Sequence, residues 1–138
     1  VGASDSASCV LANPRIGFMP DGGAAALVAA SIERAQAMRL AMTGEKLPAV
    51  AAAEWGLVAE CVPAASFSAR CDELLSAFSV GATTALAEVK MAVNAASVDV
   101  EGALAREEVG QIALSHTADY REGVAAFLAK RPAEFTGA

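Results

Sequence analysis

Apolar positions along this chain recur mostly at helical spacing, interrupted where proline or glycine stands. Between residues 24 and 42, Val28, Ile32, Ala35, Met38 and Met42 form one stripe, which predicts a single helix with Arg34 and Arg39 elsewhere on its surface. Gly44 then suits the C′ position, because glycine adopts the left-handed conformation without a Cβ penalty. Pro48, at a first-turn position, predicts a second helix from Ala49 to Trp55 that Gly56 stops. Phe67, Cys71, Leu74, Leu75 and Phe78 give an amphipathic helix over 67–79, and Leu86, Val89 and Val93 another over 84–96. Asp99 is placed to cap a helix through Leu104 and Ile112, with Arg106, Glu107 and Glu108 on a solvated face. Thr117 is placed to cap a last helix with Tyr120, Val124, Phe127 and Leu128 on its apolar side, and Pro132 to end it.

Two stretches read as short strands: Cys9 to Ala12, bounded by Asn13-Pro14, and Leu57 to Val62, closed by Pro63. A chain that opens within a strand leaves unpaired edges, which raises the expectation of residues preceding it. Residues 1–63 thus mix strand and helix, and residues 64–138 are nearly all helix. Several helices look too apolar for one chain to cover, and copies of the same protein are the expected cover.

The stretch Ile16 to Ala26 is where chemistry concentrates. Pro20 stops what precedes it, Gly22 and Gly23 let the backbone bend closely, and helical spacing begins at Ala24. Asp21 at this junction is a candidate helix N-cap, a candidate catalytic carboxylate, or both. Capping would favour its ionised form, whereas walls such as Phe18, Met19 and Leu27 would raise its pKa. The N-terminus of the following helix is a candidate anion site.

Composition narrows the partners. Hydrophobic residues make up 55% and aromatics only 5%, so thin, alanine-rich helical layers are expected. The longest apolar runs, such as Ala24 to Ala30, fall short of the ~20 residues that span a bilayer. With no basic start or long apolar core to suggest a signal peptide, a soluble cytoplasmic protein with no membrane partner is expected. A net charge of −6 argues against a nucleic-acid partner. Cys9, Cys61 and Cys71 lack any CxxC spacing and there is one histidine, so reduced thiols and no metal site are expected. Ser115, His116 and Asp119 lie close in sequence, but triad partners normally come from separate loops.

Four passages together resemble the C-terminal half of the crotonase superfamily, the enoyl-CoA hydratase/isomerase proteins. They are Asn13 to Gly23; Met42-Thr43-Gly44 with Ala53 to Val58 and Val62-Pro63; Ala87 to Asn94; and Ser115 to Gly123 with Ala126 to Pro132. The resemblance implies an α/β (α+β) fold, a spiral of ββα units whose last strand and helix units lie in residues 1–63 with the active-site turn. Residues 64–138 would form the mainly helical oligomerisation region that builds a homotrimer or a hexamer (dimer of trimers). A full member is roughly twice this length, and the front half would hold both oxyanion-hole donors.

The resemblance also implies the chemistry. Family members hold an acyl-CoA thioester in an oxyanion hole, which stabilises an enolate while a carboxylate moves protons. Coenzyme A is part of the substrate, and no separate cofactor is expected. Hydratases use two glutamates; the second falls four residues before Gly17, where this chain has Asn13, an amide that cannot shuttle a proton. Isomerases place an acid four residues after that glycine, and the match is Asp21. Asp21 is therefore the expected general base of an enoyl-CoA isomerase. Pro20, Gly22, Gly23, Phe18 and Leu27 are the expected substrate-binding residues, and Phe127 and Lys130 the expected CoA contacts. Two alternatives remain: an enoyl-CoA hydratase, and a truncated paralogue that only binds CoA esters or co-assembles. Glu33, where the family usually has glycine, and Ala129, where it usually has an acid, keep the last alternative open.

Overall fold

Alanine favours helix and carries little bulk, and the chain follows that preference. The computed structural model describes residues 2–97 and 99–137. Strands Gly2–Ser4 (β1) and Ser8–Cys9 (β2) precede a 3-10 turn at Asn13–Ile16, then helices Ala24–Ser31 (α1) and Arg34–Thr43 (α2). Strand Leu47–Pro48 (β3), helix Ala49–Glu54 (α3) and strand Glu60–Val62 (β4) follow. Helices Ala64–Val80 (α4), Thr83–Ser97 (α5), Val100–Ser115 (α6) and Ala118–Ala129 (α7) complete the order.

Contacts gather these elements into two compact units. One joins the stretch up to Cys9 with Leu47–Asp99, the other Val10–Lys46 with the stretch from Val100 onward. Each unit draws on both sides of residue 63, so packing does not follow the boundary at that residue. In the first unit β1 pairs parallel with β4, Ala3 opposite Cys61, and β2 pairs antiparallel with β3, Cys9 opposite Leu47. Leu47, Ala49, Ala52 and Val58 are its buried apolar residues. The Asp5 carboxylate accepts from the Ala64 backbone N–H at 2.9 Å, satisfying a donor at the start of α4. On α4 and α5, Leu75, Phe78, Leu86, Val89, Met91 and Val93 are exposed.

In the second unit α7 and α2 pack on the 3-10 turn, α1 packs on α2, and α6 bridges α1 and α7, with Ile32, Ala37, Leu40, Ala103 and Ala126 buried. Small residues set its spacing. A Cβ at Gly123 of α7 would stand 2.5 Å from the Ile16 carbonyl carbon and oxygen, so α7 lies directly on that backbone. Thr117 caps α7 as expected, its hydroxyl accepting from Tyr120 N–H at 3.0 Å. The segment after α7 is laced back to it. Asp119 accepts from the N–H groups of Thr136 (2.7 Å) and Gly137 (2.8 Å), and Glu122 pairs with Arg131 and accepts from Glu134 N–H.

Three expectations are corrected. The helix over 24–42 is two helices, because Ile32 and Glu33 are extended (ψ 168° and 139°) and restart the periodicity. The buried positions of α2 are therefore Ala37 and Leu40, while Ala35, Met38 and Met42 are exposed. The strand expected over Cys9 to Ala12 ends at Cys9, where its pairing with Leu47 ends. The strand expected from Leu57 begins only at Glu60, because the N–H groups of Leu57 and Val58 both turn back to the Ala52 carbonyl. The Gly44 cap, in the left-handed conformation at φ 60°, and the Pro48 helix start stand as expected.

Two outcomes follow from this packing. Gly123→Ala drives a methyl group into the Ile16 carbonyl and should cost about 2 kcal/mol or more in chemical denaturation, as overpacking against an unyielding neighbour does. The Arg131 guanidinium, with the Glu134 N–H, holds the Glu122 carboxyl down at about 2 from its ordinary 4.5. A depressed carboxylate pKa stabilises the fold above the unfolded value and loses that contribution as pH falls through the folded one. The lacing of 131–137 should thus weaken between pH 4.5 and about 2. Carbon-13 titration of Glu122 should give a midpoint near 2, and one at the ordinary value would mean the pair with Arg131 does not form.

Candidate functional site

Backbone geometry prepares the turn at residues 17–23. Pro14 opens the 3-10 turn and Gly17 closes it in the left-handed region at φ 70°, where a side chain would also press on the Asp119 backbone. The Phe18 ring then stacks on Tyr120, ring centres 4.6 Å apart, and lines a cavity of about 360 Å³ with Leu114 and Thr117. Pro20 is buried and Asp21 is exposed. Gly22 and Gly23 both take positive φ (65° and 79°), a pair of conformations that few other residues would hold in succession. The Asp21 carbonyl accepts from Ala24 N–H at 3.1 Å and closes the turn into α1.

This geometry removes Asp21 from the capping role weighed for it. The residue at the N-cap of α1 is Gly23, with no side-chain cap. Two left-handed residues separate the Asp21 side chain from the first helical N–H groups, and its carboxylate has no hydrogen bond or ion pair among the described residues. The carboxylate at this helix start comes from α6. Glu107, 5% exposed, accepts from the Gly23 N–H through Oε2 at 2.6 Å, a short charge-assisted bond. That bond occupies part of the helix start suggested as an anion site.

Gln111, one turn along α6, donates through Nε2 to the Met19 carbonyl at 2.9 Å. Gly110 between them lets the Met19 sulfur lie against the helix, where any Cβ would collide with it. Residues three and four apart share a helix face, so α6 grips the turn with Glu107, Gly110 and Gln111 together. Glu107 is thus not part of a solvated face; its neighbours Arg106 and Glu108 are exposed while it is buried. Its spacing carried a signal, four residues after the buried Ala103 and four before Gln111. The second oxygen of Glu107 and the Oε1 of Gln111 are both buried without a hydrogen bond in the structure.

The remaining candidates fall in two places. Leu27, on α1 and 43% exposed, brings its Cδ1 within 3.8 Å of where a Cβ of Gly23 would sit, so it flanks the turn. Phe127, 72% exposed, lines a separate cavity of about 420 Å³ with Asn13, Arg15 and Ile16. Lys130 is exposed and ends α7 with a left-handed φ of 54°, two residues before Pro132. The Ser115, His116 and Asp119 group is not a triad. Ser115 donates to the Ile112 carbonyl, His116 is exposed, and Asp119 is engaged with Thr136 and Gly137. Among the described residues, no helix is long and apolar enough to cross a membrane.

Comparison with known proteins gives a consistent neighbourhood. The profile of the enoyl-CoA hydratase/isomerase family matches residues 1–138. The chain is 37% identical over 136 residues to the 1,2-epoxyphenylacetyl-CoA isomerase of Escherichia coli K12, covering 98% of this chain and 52% of that protein. It is 40% identical over 136 residues to a protein of Rhodobacter capsulatus named "Probable enoyl-CoA hydratase", covering 98% and 53%. The crystal structure of an enoyl-CoA hydratase from Mycobacterium avium subsp. paratuberculosis K-10 superposes with a TM-score of 0.93 at 44% identity, covering 99% of this chain and 56% of that one. The chain spans about half the length of these relatives. Its α/β fold, rich in helix toward the C-terminus, is the one these crotonase-like structures share over that half. By sequence profile and by fold, the chain belongs to the enoyl-CoA hydratase/isomerase family.

Proposed function

We propose that this chain supplies the proton-transfer half of an acyl-CoA isomerase active site, with Asp21 as the general base. The observation that carries the reading is the state of Asp21. Its carboxylate is exposed on a turn that other residues hold, and no partner among the described residues engages it. Moving a double bond requires one base that lifts a proton from one carbon and returns it two carbons along. A single uncommitted carboxylate meets that requirement. The enolate formed between the two transfers needs N–H donors at the thioester oxygen, and the family resemblance assigns those to the half of the fold that precedes this chain.

Supporting features extend to the substrate. Gly22 has open space where a Cβ would stand and Leu27 flanks Gly23, so an acyl chain can approach the backbone beside Asp21; Pro20, Gly23, Phe18 and Leu27 are the substrate-binding residues of this reading. Exposed Phe127, beside Arg15 and Asn13, suits an adenine ring and a phosphate of CoA, and Lys130 offers a second cation at the end of the same helix. The exposed apolar side chains of α4 and α5 favour a homotrimer or a dimer of trimers, with 64–138 as the assembling segment. The acidic net charge accords with a cytoplasmic enzyme of small acyl-CoA esters rather than a nucleic-acid binder.

A second reading, hydration of a 2-enoyl-CoA, draws on the names of the relatives, but Asn13 stands where a second glutamate would act. Asp21→Asn separates these readings. Loss of general-base catalysis should lower the rate of 3-enoyl-CoA to 2-enoyl-CoA conversion by at least about 100-fold. The circular dichroism spectrum and the assembly state should not change. Conversion at the wild-type rate in this variant would sink the assignment, and water addition that survives it would favour the hydratase.

A further inference from the structure

We infer that Glu107 and Gln111 are positioning residues for Asp21, fixing from α6 a turn that cannot fix itself; this rests on the reading of Asp21 as the base. Asp21 is followed by two glycines, the residues with the most backbone freedom, so local sequence leaves its carboxylate poorly placed. Constraint comes instead from two hydrogen bonds that straddle it, one buried and one half-buried. Gln111 holds the Met19 carbonyl two residues before Asp21 (2.9 Å), and Glu107 holds the Gly23 N–H two residues after it (2.6 Å). The Met19 side chain, seated at Gly110 on the same face, adds a packing contact between them.

Chemical detail on this face points to placement rather than packing. Each of the two side chains leaves an acceptor oxygen buried without a hydrogen bond in the structure, a cost that apolar side chains of similar size would avoid. Neither side chain is aimed at solvent, and each spends its hydrogen bond on the backbone of the turn. Because Glu107 occupies the helix start in place of Asp21, it also leaves the Asp21 carboxylate uncommitted. A base displaced by about 1 Å from its working position is expected to lose on the order of 100-fold in rate.

The test is a kinetic cycle in the protein that carries this chain, with a short 3-enoyl-CoA as substrate. Glu107→Ala should lower kcat by about 10-fold to 100-fold and leave KM within about threefold, because geometry rather than binding is lost. Glu107→Gln keeps an acceptor for the Gly23 N–H and should recover kcat to within about threefold of wild type. In the Asp21→Asn background, Glu107→Ala should cause no further loss, because it acts only through Asp21. An equal loss in both backgrounds would overturn the positioning role. If Glu107→Ala does not fold, Gln111→Leu removes only the Met19 contact and should show the same fall in kcat; wild-type kcat there would count against the inference. Amide exchange at Gly23 gives a readout independent of catalysis. Faster exchange in Glu107→Ala, with α6 still protected, supports the role even if Asp21→Asn shows the base to lie elsewhere, and unchanged exchange overturns it.

Discussion

The site depends on one hydrogen bond between distant parts of the sequence, from the Gly23 N–H to the buried carboxylate of Glu107. An unpaired N–H at that depth would cost about 1–3 kcal/mol, and an unpaired carboxylate more, so each group requires the other. This mutual requirement holds α6 against the start of α1. With Glu107 in that place, Asp21 turns outward. A motif that reads locally as one carboxylate at a helix start thus involves two, Asp21 on the turn and Glu107, which lies 84 residues beyond the Gly23 it binds.

Close backbone approach does for α7 what the hydrogen bond does for α6. Gly123 lets α7 rest on the Ile16 carbonyl, and Gly17 lets the same backbone turn away beneath Asp119. Phe18 and Tyr120 stack beside this contact, so the 3-10 turn and the residues after it are held by one helix, α7, through both a glycine and an aromatic ring. Asp119 and Glu122 then use their charge on the segment after α7 rather than on chemistry. For that reason the Ser115, His116 and Asp119 cluster, suggestive in sequence, has no catalytic geometry.

Helices were legible wherever a cap or a breaker marked them: Thr117, Gly44 and Pro48 act as their residue types imply. The break at Ile32–Glu33 was not, because the two helices share one apolar composition and no proline or glycine marks their junction. Turn chemistry at Gly22-Gly23 was legible, but the identity of the cap was not. Capping rules are written for neighbours in sequence, whereas the N-cap here is a glycine without a side chain and its own N–H is bound by Glu107 from another element. A buried glutamate flanked by Arg106 and Glu108 has the appearance of solvent-facing helix, and only its spacing from Ala103 and Gln111 argues otherwise. Local physics therefore located the functional turn, while the groups that hold it required the tertiary fold.

Binding the Gly23 N–H from a remote helix has a consequence for which carboxylate is left uncommitted. A carboxylate whose oxygen is bound to a backbone N–H in the interior is fixed in place and shut off from substrate. A proton-shuttling base must take up a proton and give it back within each turnover, so a carboxylate engaged in this way is poorly suited to the task. Here Glu107 is engaged with the Gly23 N–H, and Asp21 has no hydrogen-bond partner among the described residues. Asn13 lies in the cavity lined by Phe127, and its amide cannot shuttle a proton as a carboxylate can. The proposed 1,3-proton shift would use one such carboxylate, placed by its backbone and not by its side chain.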